Sequence, residues 1–170
     1  MSVLARDAII DELENGDLDI DPLDAEQIGP ASIDLTLDNK FRVYNEVQDV
    51  YPVDEDVDPD NLTRVIEVED SILLKPGQTM HGITQEKISL PDDLCGWIEG
   101  RSRFARLGLL VHITAGFIQP GTSNRTVLEI GNVSPVPLEL KPGTRICQII
   151  LQRTEGTASY DGRYRDQDEP

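Results

Sequence analysis

A chain of 170 residues that is 38% hydrophobic and 5% aromatic is long enough to bury a real core and fits one domain. Its formal net charge of −17 excludes duplex DNA or RNA as a partner, because nucleic-acid phosphates demand a basic footprint. No apolar run approaches bilayer length and charges break up the N-terminus, so neither membrane span nor secretory signal is expected and the setting reads as cytoplasmic.

Residues 3–15 carry Leu4, Ala8, Ile9 and Leu13 near the helical period, with Ser2 available as a cap and Gly16 as a terminator. An acidic stretch containing Pro22 and Pro30 follows. From Ser32 the texture changes to short strand-like runs. SIDLTL (32–37) alternates, and Asp38-Asn39 leads into KFRVY (40–44), which is a hairpin signal. Residues 50–61 read as a long, exposed acidic loop. Further strands are predicted at 63–69, 71–78, 79–84, 94–99, 110–115, 125–131, 136–140 and 145–153. Lys75-Pro76-Gly77 and Lys141-Pro142-Gly143 repeat one device, since Pro followed by Gly at the centre of a turn is what type II geometry requires. Many short strands with little helix after residue 30 predict a mainly β sandwich, jelly roll or barrel behind an N-terminal helix. The tail, 157–170, has almost no apolar content and is expected to be mobile when nothing is bound. Cys95 and Cys147 fall in apolar strands and read as buried thiols, not a disulfide.

Two features carry chemistry. Arg101, Arg103 and Arg106 fall within six residues of an acidic chain, with Arg125 farther on, and point to a local anion site. Ser102 and Arg106 share a face if 102–108 holds a helical turn. Guanidinium groups, a hydroxyl and free backbone amides are what a polyphosphate needs; the alternative is a solvated basic loop paired with neighbouring acids. The second feature is Glu129, set in the apolar run Thr126-Val127-Leu128-Glu129-Ile130. It is either outward and solvated or inward, where desolvation raises its pKa and suits it to proton transfer. His112, within Leu109-Leu110-Val111-His112-Ile113, reads as a hydrogen-bonded core residue, and His81 has no evident partner. No zinc site is expected, because neither the cysteines nor the histidines have ligand spacing. The acidity itself fits a high-salt cytoplasm, where screening removes self-repulsion.

GRSRFARLGLLVHITAGFIQPG (100–121) followed by VLEI (127–130) resembles the dCTP deaminase branch of the trimeric dUTPase superfamily. Pro30-Ala31-Ser32-Ile33-Asp34-Leu35, Lys141-Pro142-Gly143, Ile146-Cys147-Gln148 and the tail's Tyr160 with Arg163-Tyr164-Arg165-Asp166-Gln167 extend the likeness over most of the chain. The resemblance implies a dUTPase-like distorted jelly roll over 1–156, with its helix at the N-terminus, and a tail at 157–170 that closes over nucleotide. It implies hydrolytic deamination of dCTP to dUTP and ammonia without a metal at the base, feeding dUMP and dTTP synthesis. The enzyme would be a homotrimer with sites between subunits. Mg²⁺ would accompany the triphosphate, dUTP would be a further ligand, and dTTP an inhibitor. The alternatives are a bifunctional enzyme that goes on to dUMP, a dUTPase, and a non-catalytic nucleotide-binding regulator.

Site residues follow from the resemblance position by position. Glu129 matches the proton-shuttling carboxylate, and Ser102 and Arg106 match residues that help build its site. Arg101, Ser102, Arg103, Phe104, Ala105 and Arg106 cover the nucleotide-binding segment. Val127, Leu128 and Gln148 match the nucleoside pocket, and Ala115 matches a carbonyl that holds the water. Tyr160, Arg163 and Gln167 match the closing tail. Three positions depart from the family pattern: Arg103 replaces a common Ser, Arg163 a Lys, and Gln119 an Asp beside the deoxyribose. Ala115-Gly116-Phe117-Ile118 resembles the bifunctional form.

Overall fold

The computed structural model describes residues 2–46, 50–53 and 61–170. The N-terminal helix α1 (Arg6–Asn15) starts three residues later than Ser2 would place it, with Ala5 at the cap position and no side-chain cap bond. The backbone oxygen of Pro30 takes the Arg6 N–H instead. Gly16 ends the helix at φ 78°, as expected. No helix among the described residues is long and apolar enough to cross a membrane.

The strands are β1 (Asp19–Asp21), β2 (Ile33–Thr36), β3 (Lys40–Tyr44), β4 (Thr63–Glu67), β5 (Ile72–Leu74), β6 (Thr79–Ser89), β7 (Leu94–Gly100), β8 (Leu109–Leu110), β9 (Phe117–Ile118), β10 (Ser123–Asn132), β11 (Leu138–Leu140) and β12 (Arg145–Arg153). One short α-helix, α2 (Ser102–Ala105), and a single 3₁₀ turn at Ala25–Gln27 interrupt them. A six-stranded sheet has the order β4-β3-β6-β10-β8 with β1 also on β6; a four-stranded sheet runs β2-β12-β7-β9; β11 pairs with β5. One apolar cluster joins them, from Ile33, Leu35 and Ile149 of the smaller sheet to Phe41, Leu128 and Ile130 of the larger. The chain is therefore mainly β around a single core, with the helix at its edge.

The expected hairpin between 32–37 and 40–44 does not form. β2 pairs with β12 and β3 with β6, so Asp38-Asn39 is a corner where the chain changes sheets. Asp38 is fixed there by its N–H to Ile83 O and by an ion pair with Arg125. The strand expected at 110–115 shrinks to Leu109–Leu110, because the following residues turn their polar groups toward Glu129. The strand expected at 79–84 instead continues to Ser89 through the polar run 84–87. Glu86 is buried there, and its carboxylate accepts from Thr36 N–H (2.8 Å) and Gln27 Nε2 (2.7 Å). Both Lys-Pro-Gly segments turn as expected, with Gly77 at φ 75° and Gly143 at φ 81°. Of the predicted acidic loop, 54–60 lie outside the described residues; Val50 and Val53 are exposed. Cys95 and Cys147 are free, buried thiols.

Candidate active site

β10 builds the acid side of the site. Its alternation buries Leu128 and Ile130 in the core and turns Glu129 toward the other face, where it is half-buried. Glu129 Oε2 accepts two hydrogen bonds from Thr114, from N–H at 2.8 Å and Oγ1 at 2.7 Å. Burial pushes the Glu129 carboxyl up. The Thr114 bonds, with His112 and His81 nearby, outweigh that and hold it below the usual carboxylate range. Inward placement therefore does not raise this pKa, as desolvation alone would.

Glu129 opens onto a cavity of about 770 Å³. Ala115, Gln119, Val127, Tyr160, Arg163 and Gln167 line it too, so seven of the residues singled out in the sequence share one chamber. Leu128 does not line it; its side chain belongs to the core, leaving only its backbone to the strand edge. His112 is not the buried core residue expected. It lines the cavity, its Nδ1 accepts from Glu129 N–H at 3.4 Å, and its buried Nε2 has no partner among the described residues.

The tail lies along β10. Ser123 N–H donates to Arg165 O (3.1 Å), Arg125 N–H to Gln167 O (3.0 Å), and Asn124 Nδ2 to Tyr164 O (2.7 Å). Tyr160 N–H donates to Pro120 O, and Arg42 Nε to the backbone oxygen of Pro170 at 2.6 Å. These bonds need no apolar side chains, because an unpaired strand edge offers backbone partners.

The arginine segment lies elsewhere. Arg101 caps α2, and its guanidinium is committed to Asp34 (2.9 Å) and to Arg145 O (2.7 Å). Ser102, Arg103, Ala105 and Arg106 are exposed, and Phe104 lines a separate apolar groove with Leu107 and Leu109. Gln148 is in this second region, donating to Gly100 O at 3.2 Å. Within one chain, then, 101–106 and Gln148 do not meet Glu129. Arg125 is no free cation either, since Asp38 and Thr84 O hold it.

Sequence reasoning gave no role to Arg42 and His81, which line the chamber, or to Thr114, which donates to Glu129. Lys40, Arg42 and Tyr44 alternate along one face of KFRVY, which was the available signal. The register that sets Arg42 opposite His81, and His81 opposite Glu129, is a product of folding alone.

Comparison with known proteins gives the family and the fold. The model of the dCTP deaminase-like family matches residues 3–154. The chain is 43% identical to a dUMP-forming dCTP deaminase of Acidothermus cellulolyticus, over 94% of this chain and 87% of that one. It is 41% identical to a protein of the same description from Streptomyces coelicolor over the same shares, and 44% identical to one from Corynebacterium glutamicum over 82% and 74%. A crystal structure of a 2′-deoxycytidine 5′-triphosphate deaminase from Agrobacterium tumefaciens shares the fold with a TM-score of 0.70 at 22% identity. That match covers 89% of this chain, which spans only 48% of the other. By its sequence and its fold, the chain belongs to the dCTP deaminase-like family.

Proposed function

We propose that this chain is a hydrolytic dCTP deaminase that carries its substrate through to dUMP, with Glu129 as the base that moves the protons. The observation that carries the reading is a charged, half-buried carboxylate on the wall of a chamber edged by Tyr160, Arg163 and Gln167. As water oxygen bonds to C4 of cytosine, Glu129 takes its proton and passes it to N3. Glu129 then carries the proton of the C4 hydroxyl to the amine as the C4–N bond breaks, so that ammonia leaves and C4 becomes a carbonyl. Ala115 offers a carbonyl to hold that water, and Val127 and Leu128 offer backbone groups to the base. A second water attacking the α-phosphorus releases pyrophosphate, so dCTP and two waters give dUMP, ammonia and pyrophosphate.

The cationic half of the site comes, on this reading, from a neighbouring copy in a homotrimer. Ser102, Arg103 and Arg106 stand exposed, their side chains without a hydrogen-bond or ion-pair partner among the described residues, and Gln148 lies beside them. Exposed apolar side chains flank this segment, among them Leu107, Leu110, Ile113 and Val136, and give such copies a surface to bury. Mg²⁺, when bound, neutralises phosphate charge. On this reading the ion is carried on the nucleotide's own oxygens. Arg106 and Arg163 would share the remaining charge.

The expectation from sequence stopped at dUTP. The relatives' descriptions favour dUMP, whereas Gln119 favours the shorter reaction, because an amide cannot act as a base where the family commonly has Asp. Incubation with dCTP and Mg²⁺ followed by chromatography separates the outcomes. Ammonia with pyrophosphate and dUMP supports the full sequence, and accumulated dUTP without pyrophosphate returns the simple deaminase. Nucleotide binding with no ammonia would leave only a regulator.

A further inference from the structure

We propose that His81 is a positioning residue for Glu129, its imidazole set across the β6–β10 pair as the electrostatic partner of the Glu129 carboxyl. The inference deepens the proposed role of Glu129 and rests on it. Arg42 of β3 is the register partner of His81 of β6, and His81 is the register partner of Glu129 of β10. Side chains directly opposite on neighbouring strands point to one face with their Cβ atoms about 5 Å apart. Arg42, His81 and Glu129 therefore form one row across three adjacent strands, and all three line the chamber. The Tyr44 ring packs edge-on against the imidazole, with centroids 5.9 Å apart, and restrains its orientation.

The charges around His81 have a definite sense. Glu129 faces it from β10, Arg42 from β3, and His112 from the segment after β8. The tail adds Arg163, Arg165, Asp166 and Glu169 to the same chamber. Burial pushes the His81 pKa down; Glu129 pulls it up, and Arg42 pushes it down again. Reciprocally, His81 helps hold Glu129 low. Such coupling is mutual by thermodynamic necessity: what Glu129 does to the imidazole, the imidazole does to Glu129.

The test reads both directions of that coupling. In His81→Leu, and in His81→Gln should the first variant fold poorly, the acid limb of the kcat/KM profile for dCTP moves to higher pH while the plateau is retained within a fewfold. In Glu129→Gln, imidazole NMR of the free protein shows the His81 titration moving to lower pH, with His112 the only other histidine to assign. A purely structural His81 would change stability or plateau rate and leave the limb where it was. An unmoved limb in both His81 variants, or an imidazole titration indifferent to Glu129→Gln, overturns the proposal. If Glu129→Gln still releases ammonia, the proposed function fails instead, and the NMR arm still reports whether the two groups are coupled.

Discussion

The edge of β10 and the segment Arg101–Arg106 are the two charged regions of interest, and the chain treats them differently. Glu129 is held by its own chain, its Oε2 by Thr114 and its N–H by His112 Nδ1, and its strand register sets it opposite His81. In the arginine segment only Arg101 is so engaged, spent on Asp34 and the Arg145 carbonyl, while Ser102, Arg103 and Arg106 reach solvent. On the proposed function, the difference separates a group whose protonation must be set in advance from groups that need only supply charge. A base must meet its reaction with a defined proton affinity, which requires fixed neighbours. Phosphate-binding cations can be delivered from outside, provided their backbone is held, and the Asp34–Arg101 pair holds the start of α2.

The largest effect should come from breaking the acid half. Glu129→Gln keeps shape and hydrogen bonding but cannot accept the proton, so ammonia release should fall by about 100- to 10,000-fold with dCTP binding retained. Equilibrium binding measured beside turnover checks it, and a variant that turns over at the parent rate ends the base assignment. The next test joins the halves. If the proposed trimer shares its sites between subunits, Glu129→Gln and Arg106→Ala should each be inactive alone yet recover a fraction of wild-type activity when their subunits are mixed, since a mixed trimer would contain sites with both groups intact. Lack of recovery under verified subunit exchange would place each site within one chain.

A third experiment asks how Glu129 is tuned. Thr114→Val removes the hydroxyl donor to Oε2, and with it one of the influences that lower the Glu129 pKa. A group held low in the folded protein stays charged as pH falls until that lowered value is reached. Weakening the hold raises the value, so the acid limb of kcat/KM should move to higher pH. An unmoved limb would mean that the acid limb belongs to some other group.

How much of this was legible beforehand depends on the range of the interaction. The β-rich class, both Lys-Pro-Gly turns and the isolation of Glu129 in an apolar strand are local patterns, and the alternation of β10 survives intact in the fold. The hairpin expected at Asp38-Asn39 failed because turn residues also suit a corner between sheets, and pairing with β12, more than one hundred residues away, decided the matter. His81 looked solitary because both its neighbours are set by register. Arg125 looked like part of an anion site because nothing in the sequence announces its pairing with Asp38. The tail's backbone bonds to β10 use main-chain groups that every residue carries, so composition is silent about them.

The smallest expected effect concerns the surface around both regions. With 32 acidic against 15 basic residues, self-repulsion opposes folding, and salt shortens its reach from about 10 Å at 0.1 M to about 3 Å at 1 M. Salt also weakens ion pairs, but the exposed ones here, such as Lys141–Glu139 and Arg145–Glu26, are each worth roughly 0–1 kcal/mol. Repulsion spread over the whole surface should win, and each kcal/mol gained raises Tm by about 2–4 °C in a chain of this size. Tm should therefore climb steadily with KCl, whereas the tail contacts Lys40–Glu169 and Arg125–Asp168 should loosen over the same series, seen as faster proteolysis within 157–170. A flat Tm would mean that the acidity is not an adaptation to salt. A Tm that rises with the tail equally protected would mean that its backbone bonds to β10, not its charges, keep it in place.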